Sequence, residues 1–214
     1  MMGSFTMKTN TNLEQEVQTK DILLGKAKMI IFMLILGLVA AALLAGLGSY
    51  TKPLVEKNKE LRTMQKVLES INVDYSSDNL TKVFKEKVEV VNEGEYKFYK
   101  TKEGEVAFKF EGEGIWAPIV GFAALDSDME TLEGISIMSQ GETPGLGGRI
   151  TEDWFLNQFK GLKRNPKIVV LKASKTADNP NEVDGIAGAT LSGKALQKIL
   201  NKNIEVALQK LEVN

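Results

Sequence analysis

Between Met29 and Ser49 the chain reads IIFMLILGLVAAALLAGLG without one charged side chain. Wound as a helix rising about 1.5 Å per residue, the run is long enough to cross about 30 Å of hydrocarbon. A secretory signal has a shorter apolar core and a shorter leader, so an uncleaved anchor is expected. Gly37, Gly46 and Gly48 are tolerated in a membrane helix and allow close approach of a neighbouring one. The run divides the chain into a polar tail at 1–28, a span at 29–50 and a globular domain at 51–214. Lys8, Lys20, Lys26 and Lys28 precede the span, and Lys52, Lys57, Lys59 and Arg62 follow it. The excess of positive charge that sets orientation is therefore close to a tie.

The 214 residues include 27 basic and 28 acidic side chains, a net charge of −1, and no basic patch stands out, which argues against a nucleic-acid partner. There is no cysteine and no histidine. Disulfides, Cys-held iron–sulfur clusters, Ser-His-Asp catalysis and His-ligated zinc or haem are thereby excluded within the chain. Any redox chemistry must come from an organic cofactor. No catalytic side chain and no metal ligand set is assigned.

Within 1–28, Leu13, Val17, Leu23 and Leu24 give a weak helical pattern in an otherwise mobile tail. Past the span, Leu54, Leu61, Met64, Leu68 and Ile71 recur at helical spacing, with Pro53 near the first turn. Leu80 to Val91 reads as a helix or a helix followed by a strand. Strands are expected at Tyr96–Thr101, Val106–Phe110, Ile119–Leu125, Leu132–Met138 and Lys167–Lys172. A helix capped by Thr151 is expected to Phe159, and a polar loop from Ala173 to Val183. A last helix over Leu191–Leu211 would turn Ala195, Leu196, Ile199, Leu200, Ile204, Ala207, Leu208 and Leu211 inward.

Two loops are too rich in glycine to be plain connections. Ser139 to Ile150 holds Pro144 and four glycines around a single stranded Leu146. Taken locally, that leucine tucks into the core; it could equally pack on a flat ring. Asp184 to Ser192 holds Gly185, Gly188 and Ala189 before Thr190, which stands at the N-cap of the last helix. The positive end of a helix there suits a phosphate. A simple Gly-rich turn explains the same residues. Gly188 to Ala195 approaches a phosphate-binding P-loop, but Ala195 lacks the metal-binding hydroxyl and no strand directly precedes Gly188.

Asp184, Gly185, Gly188, Ala189 and Thr190 together resemble the flavinylation motif of the FMN-binding domain family. The family usually has Ser or Thr where this chain has Ala187. Gly141-Glu-Thr-Pro-Gly-Leu-Gly-Gly148 and Gly112-x-Gly-Ile-Trp-x-Pro-Ile resemble segments of the same family in the anchored flavin subunit of Na⁺-translocating NADH:quinone reductases, to which the corresponding Rnf-complex subunit is related. The resemblance implies an α+β fold: one N-terminal transmembrane helix, then one FMN-binding domain with a mixed β-sheet and flanking helices. It implies FMN joined covalently through its phosphate to Thr190. Glu142, Thr143, Gly145, Leu146, Gly147 and Trp116 would lie about the flavin ring, and Asp184, Gly188, Ala189, Leu191, Ser192 and Lys194 about its phosphate end. The implied role is electron transfer within a membrane redox pump, either the Na⁺-translocating quinone reductase or an Rnf-type ferredoxin:NAD complex. The partners would be the other membrane subunits and a flavin transferase. The domain would face the periplasm from the bacterial inner membrane, and the chain alone would not oxidise NADH. A membrane-anchored scaffold without a cofactor is the contrasting expectation.

Overall fold

A computed structural model describes residues 4–212, which separate into two units, one ending at Lys57 and one starting at Asn58. The described residues of the first unit are helical, as the start of α1 (Ser4–Ser70). The helix takes in most of the segment expected as a tail, since no proline precedes Pro53 and a lone glycine costs a helix only about 1 kcal/mol. The side chains of Leu13 and Val17 lie outside the described residues; Leu23 and Leu24 are exposed. One stretch of α1 is long and apolar enough to cross a membrane, with a mean hydropathy of 2.9 and none of it buried. Pro53 lies inside the helix rather than at its start and has no amide to donate. Just before it, the Thr51 hydroxyl donates to the carbonyls of Leu47 (3.0 Å) and Gly48 (3.3 Å).

In the second unit the end of α1 and the turn after it bury Val67, Leu68 and Ile71, while Leu54, expected on the same face, stays exposed in the first. There follow α2 (Leu80–Lys87) and five strands: β1 (Val88–Glu93), β2 (Tyr96–Thr101), β3 (Val106–Glu113), β4 (Pro118–Leu125) and β5 (Leu132–Ser139). They form one sheet in the order β1-β2-β3-β4-β5, every neighbour antiparallel. Side chains alternate across it. Phe108, Phe110, Ile119 and Ala123 enter one core, and Ala107, Phe122 and Ala124 enter the other, beneath α1 and α2. Burial on both faces accounts for the nearly unbroken apolar run of β4.

The first core is closed by α4 (Thr190–Glu212), whose Leu196, Ile199, Leu200, Ile204 and Ala207 are buried as its spacing predicts. Amide side chains fix this helix to strand edges. Asn201 accepts from the Ile168 amide (3.0 Å) and donates to the Ile168 carbonyl (2.9 Å). Gln197 accepts from the Val170 amide (2.9 Å). Asn203 does the same at Glu111, donating to its carbonyl (3.1 Å) and accepting from its amide (3.4 Å). The register of β2 on β3 runs from Lys100↔Val106 to Phe98↔Phe108; past it a cavity of about 420 Å³ lies between the strands, and Asn203 sits on its wall.

Two sequence expectations are corrected. The expected mixed sheet is an antiparallel sheet plus a separate parallel pair, β6 (Val169–Val170) and β7 (Glu182–Val183). β6 is far shorter than Lys167–Lys172: toward β7 only Val169 and Leu171 donate, to Asn181 and Val183, while on the opposite edge the amides of Ile168 and Val170 go to side chains of α4. The expected Thr151–Phe159 helix is broken into a 3-10 turn (Gly147–Thr151), α3 (Asp153–Leu156) and a second 3-10 turn (Asn157–Phe159). Thr151 does not cap; its hydroxyl donates back to the Gly148 carbonyl (3.0 Å), and Glu152 is extended.

Candidate functional site

Three segments of the second unit converge on a cleft of about 390 Å³. The first is the tip of the β3–β4 hairpin. Glu113 pairs with Pro118, and the Gly114 amide donates to the Ala117 carbonyl (3.1 Å), leaving Ile115 and Trp116 as a two-residue turn. Neither has a positive φ, so the turn is not of the primed kind that matches strand twist. Both side chains are held in the open, Trp116 at 75 % exposure.

The second segment is a β-turn over Thr143–Leu146. Pro144 takes its second place and Gly145 its third, with φ +74°, and the Leu146 amide donates to the Thr143 carbonyl (3.1 Å). The leucine that follows is half exposed at the lip of the cleft. The third segment, Ile186–Ala189, repeats the device: Gly188 has φ +79°, and the Ala189 amide donates to the Ile186 carbonyl (3.0 Å). A Cβ on Gly188 would stand 2.9 Å from Leu146 Cδ2, so the two turns meet face to face. Arg149 pairs with Glu152 and donates to the Ala187 carbonyl (3.4 Å) behind the third segment.

Directly after that turn α4 begins. The first helical bond runs from the Gly193 amide to the Ala189 carbonyl (2.9 Å), so Thr190 is the first helical residue and not the expected N-cap. The amides of Thr190, Leu191 and Ser192 consequently have no acceptor within the helix and lie at its positive end. Thr190 is half-buried on the cleft wall, and Leu191 beside it is exposed.

Glu142 sits behind all three segments at 4 % exposure. One carboxylate oxygen accepts from the amides of Ile115 (2.8 Å) and Trp116 (3.2 Å); the other accepts from the Ser192 hydroxyl (2.5 Å). Burial pushes this carboxyl up, but the Ser192 hydroxyl and the amides of Trp116, Ile115 and Ala117 outweigh it and hold it below the ordinary glutamate range. Glycine is required around it. A Cβ on Gly147 would overlap Ser192 Oγ and come 3.0 Å from Glu142 Oε2, and one on Gly114 would stand 2.5 Å from Oε1.

The structure thus brings together Trp116, Glu142, Thr143, Leu146, Gly147, Gly188, Ala189, Thr190, Leu191 and Ser192. Three expected residues are not on the lining. Gly145 shapes the turn, Lys194 is exposed and donates to Gln197 (2.9 Å), and Asp184 accepts from the Ala177 amide (2.7 Å) while its own amide donates to Gln158 (2.8 Å). Ile115 was missed, although an apolar pair between Gly114 and Ala117 marks a hairpin tip. Among the described residues no group of three or more acidic, His or Cys side chains is placed to hold a metal ion.

A cleft of this volume, apolar at its lip and backed by a helix N-terminus with a hydroxyl beside it, suits a flat aromatic ligand carrying an anionic tail. Residues 114–205 match the model of the FMN-binding domain family. Among curated proteins the chain is similar to the NqrC subunit of the Na⁺-translocating NADH-quinone reductase of Yersinia pestis, 38 % identical over 95 residues, 42 % of this chain and 36 % of that one. The same subunit of Vibrio parahaemolyticus is 36 % identical over 108 residues, 46 % of this chain and 41 % of that one. The chain therefore spans about two fifths of the length of the curated relatives it matches. Among solved structures, the equivalent subunit from Parabacteroides distasonis superposes with a TM-score of 0.67 at 28 % identity, over 75 % of this chain and 96 % of that one. NqrC of Shewanella oneidensis, at 19 % identity and a TM-score of 0.62 over 70 % and 93 % of the two chains, shares the fold.

Proposed function

We propose that the chain is the electron-transferring subunit of a membrane Na⁺-translocating NADH:quinone reductase and carries FMN esterified through its phosphate to the Thr190 hydroxyl. The observation that carries this reading is the position of Thr190, on the cleft wall and at the first turn of α4. There the unpaired helix amides and the helix dipole favour a phosphate. Leu146 and Trp116 present apolar surface at the lip, suited to a ring. Bound FMN would supply the electron-accepting and electron-donating chemistry; the chain's own residues hold it and limit its contact with water. A covalent tether retains the group through repeated redox cycles, which suits a carrier that never releases it.

The anchor would hold the domain at the bacterial inner membrane on the periplasmic side, where a flavin transferase loads it and the other subunits exchange electrons with it. The apolar stretch of α1 and the names of the relatives support the membrane setting. The test is intact mass on protein made together with a flavin transferase. The parent should gain the mass of one FMN less one water and stay yellow when denatured; Thr190→Val should lose both. Absence of the increment in the parent, repeated with Ala187→Ser, would defeat the covalent reading.

A further inference from the structure

We propose that Glu142 is the positioning residue of this cleft: its carboxylate holds the Trp116 hairpin tip, the Pro144–Gly145 turn and the first turn of α4 in register, and so sets the gap into which the flavin fits. The inference deepens the FMN reading and rests on it for the identity of the ligand.

The geometry is specific. Three segments far apart in sequence supply the cleft, and each is joined to this one side chain. It accepts from Ile115 and Trp116 in the hairpin and from Ser192 in the first turn of α4, and in sequence it directly precedes the Thr143–Leu146 turn. The Ile115-Trp116 turn lacks the positive φ values by which two-residue turns match strand twist, and its two amides are taken up from outside the hairpin by this carboxylate. Charge-assisted bonds of this kind are roughly twice as strong as neutral ones. A buried carboxylate is costly unless it is fully bonded, and this one lies near the positive end of α4. Gly114 and Gly147 leave the room that the carboxylate needs. The Ser192 hydroxyl is buried and donates to Glu142, so it braces the cleft wall.

The sequence contains two tryptophans, Trp116 and Trp154, so Trp154→Phe leaves Trp116 as the only reporter of the hairpin tip. In that background, full-length protein in detergent is compared with added Glu142→Ala, Glu142→Asp and Glu142→Gln, each made with and without a flavin transferase. The amplitude of fast local motion in the fluorescence anisotropy decay of Trp116 in the flavin-free protein should rise about threefold for Ala, and for Asp, whose carboxylate is withdrawn by one methylene. Gln keeps the acceptor in place and should stay within about twofold of the parent. Flavin content and the visible circular dichroism of the bound flavin should fall in the same order. An unchanged Trp116 anisotropy decay in Ala and Asp variants with intact far-ultraviolet dichroism would overturn the inference. If Ala does not fold, the Asp and Gln pair decides it in the same way. Absence of flavin in the parent would count against the FMN reading alone, because the Trp116 measurement needs no flavin.

Discussion

At the scale of single residues, the cleft depends on two glycines for different reasons. Gly147 has an ordinary backbone but no room, since a methyl group would overlap Ser192 Oγ. Gly145 has room, with nothing within 4 Å, but its φ of +74° disfavours any side chain. Gly147→Ala should therefore lower stability by about 1–3 kcal/mol through overpacking and reduce flavin loading. Gly145→Ala should cost about 1–2 kcal/mol from the left-handed backbone, read by chemical denaturation, with a smaller effect on loading. Glu142 adds a pH dependence. Its carboxyl is held below the ordinary glutamate range in the folded protein, so the stability it contributes is present above the unfolded value. That contribution is lost as pH falls through the lower, native value. The difference in melting temperature between the parent and Glu142→Gln should be steady near neutrality and shrink in acid.

At the scale of elements, α4 does two jobs along its length. Its first turn carries Thr190, and later turns carry the amides that engage Ile168, Val170 and Glu111. Asn201→Leu leaves both backbone groups of Ile168 without that partner and should cost about 1–3 kcal/mol, measured as a shift in the denaturation midpoint with the slope unchanged. The element pattern was legible where the physics is periodic. The strands β2 to β5 announced themselves by alternation or by short apolar runs, and the inner face of α4 by its 3.6-residue repeat. The same method overran at Lys167–Lys172, passed over Glu182–Val183 and joined Thr151–Phe159 into one helix. A two-residue strand has no period to detect, and the break after Thr151 reflects a side-chain bond back to Gly148. Of the site, the two glycine turns were legible because both use glycine at the same turn position. The part of Glu142 as common acceptor was not, since its partners lie 26, 27 and 50 positions away.

At the scale of the whole chain, the second unit has its own cores, which draw on α1 only from Leu61 onward. A chain starting at Asn58 should fold without detergent and melt as one cooperative transition. One starting at Asn72 would lack Val67, Leu68 and Ile71 and should show a broadened or absent transition, followed by circular dichroism. The placement of α4 has a consequence for the order in which the protein is made. The helix follows in sequence every strand it packs on, and it brings both Thr190 and Ser192, the hydroxyl that completes the Glu142 bonding. While the ribosome is still translating the sheet, neither the proposed flavin acceptor nor a finished cleft exists. On the proposed Thr190 linkage, cofactor loading would therefore follow the synthesis of α4, and a nascent chain stalled before Thr190 would leave the ribosome colourless, which would separate chains with and without α4 by the presence of the pigment.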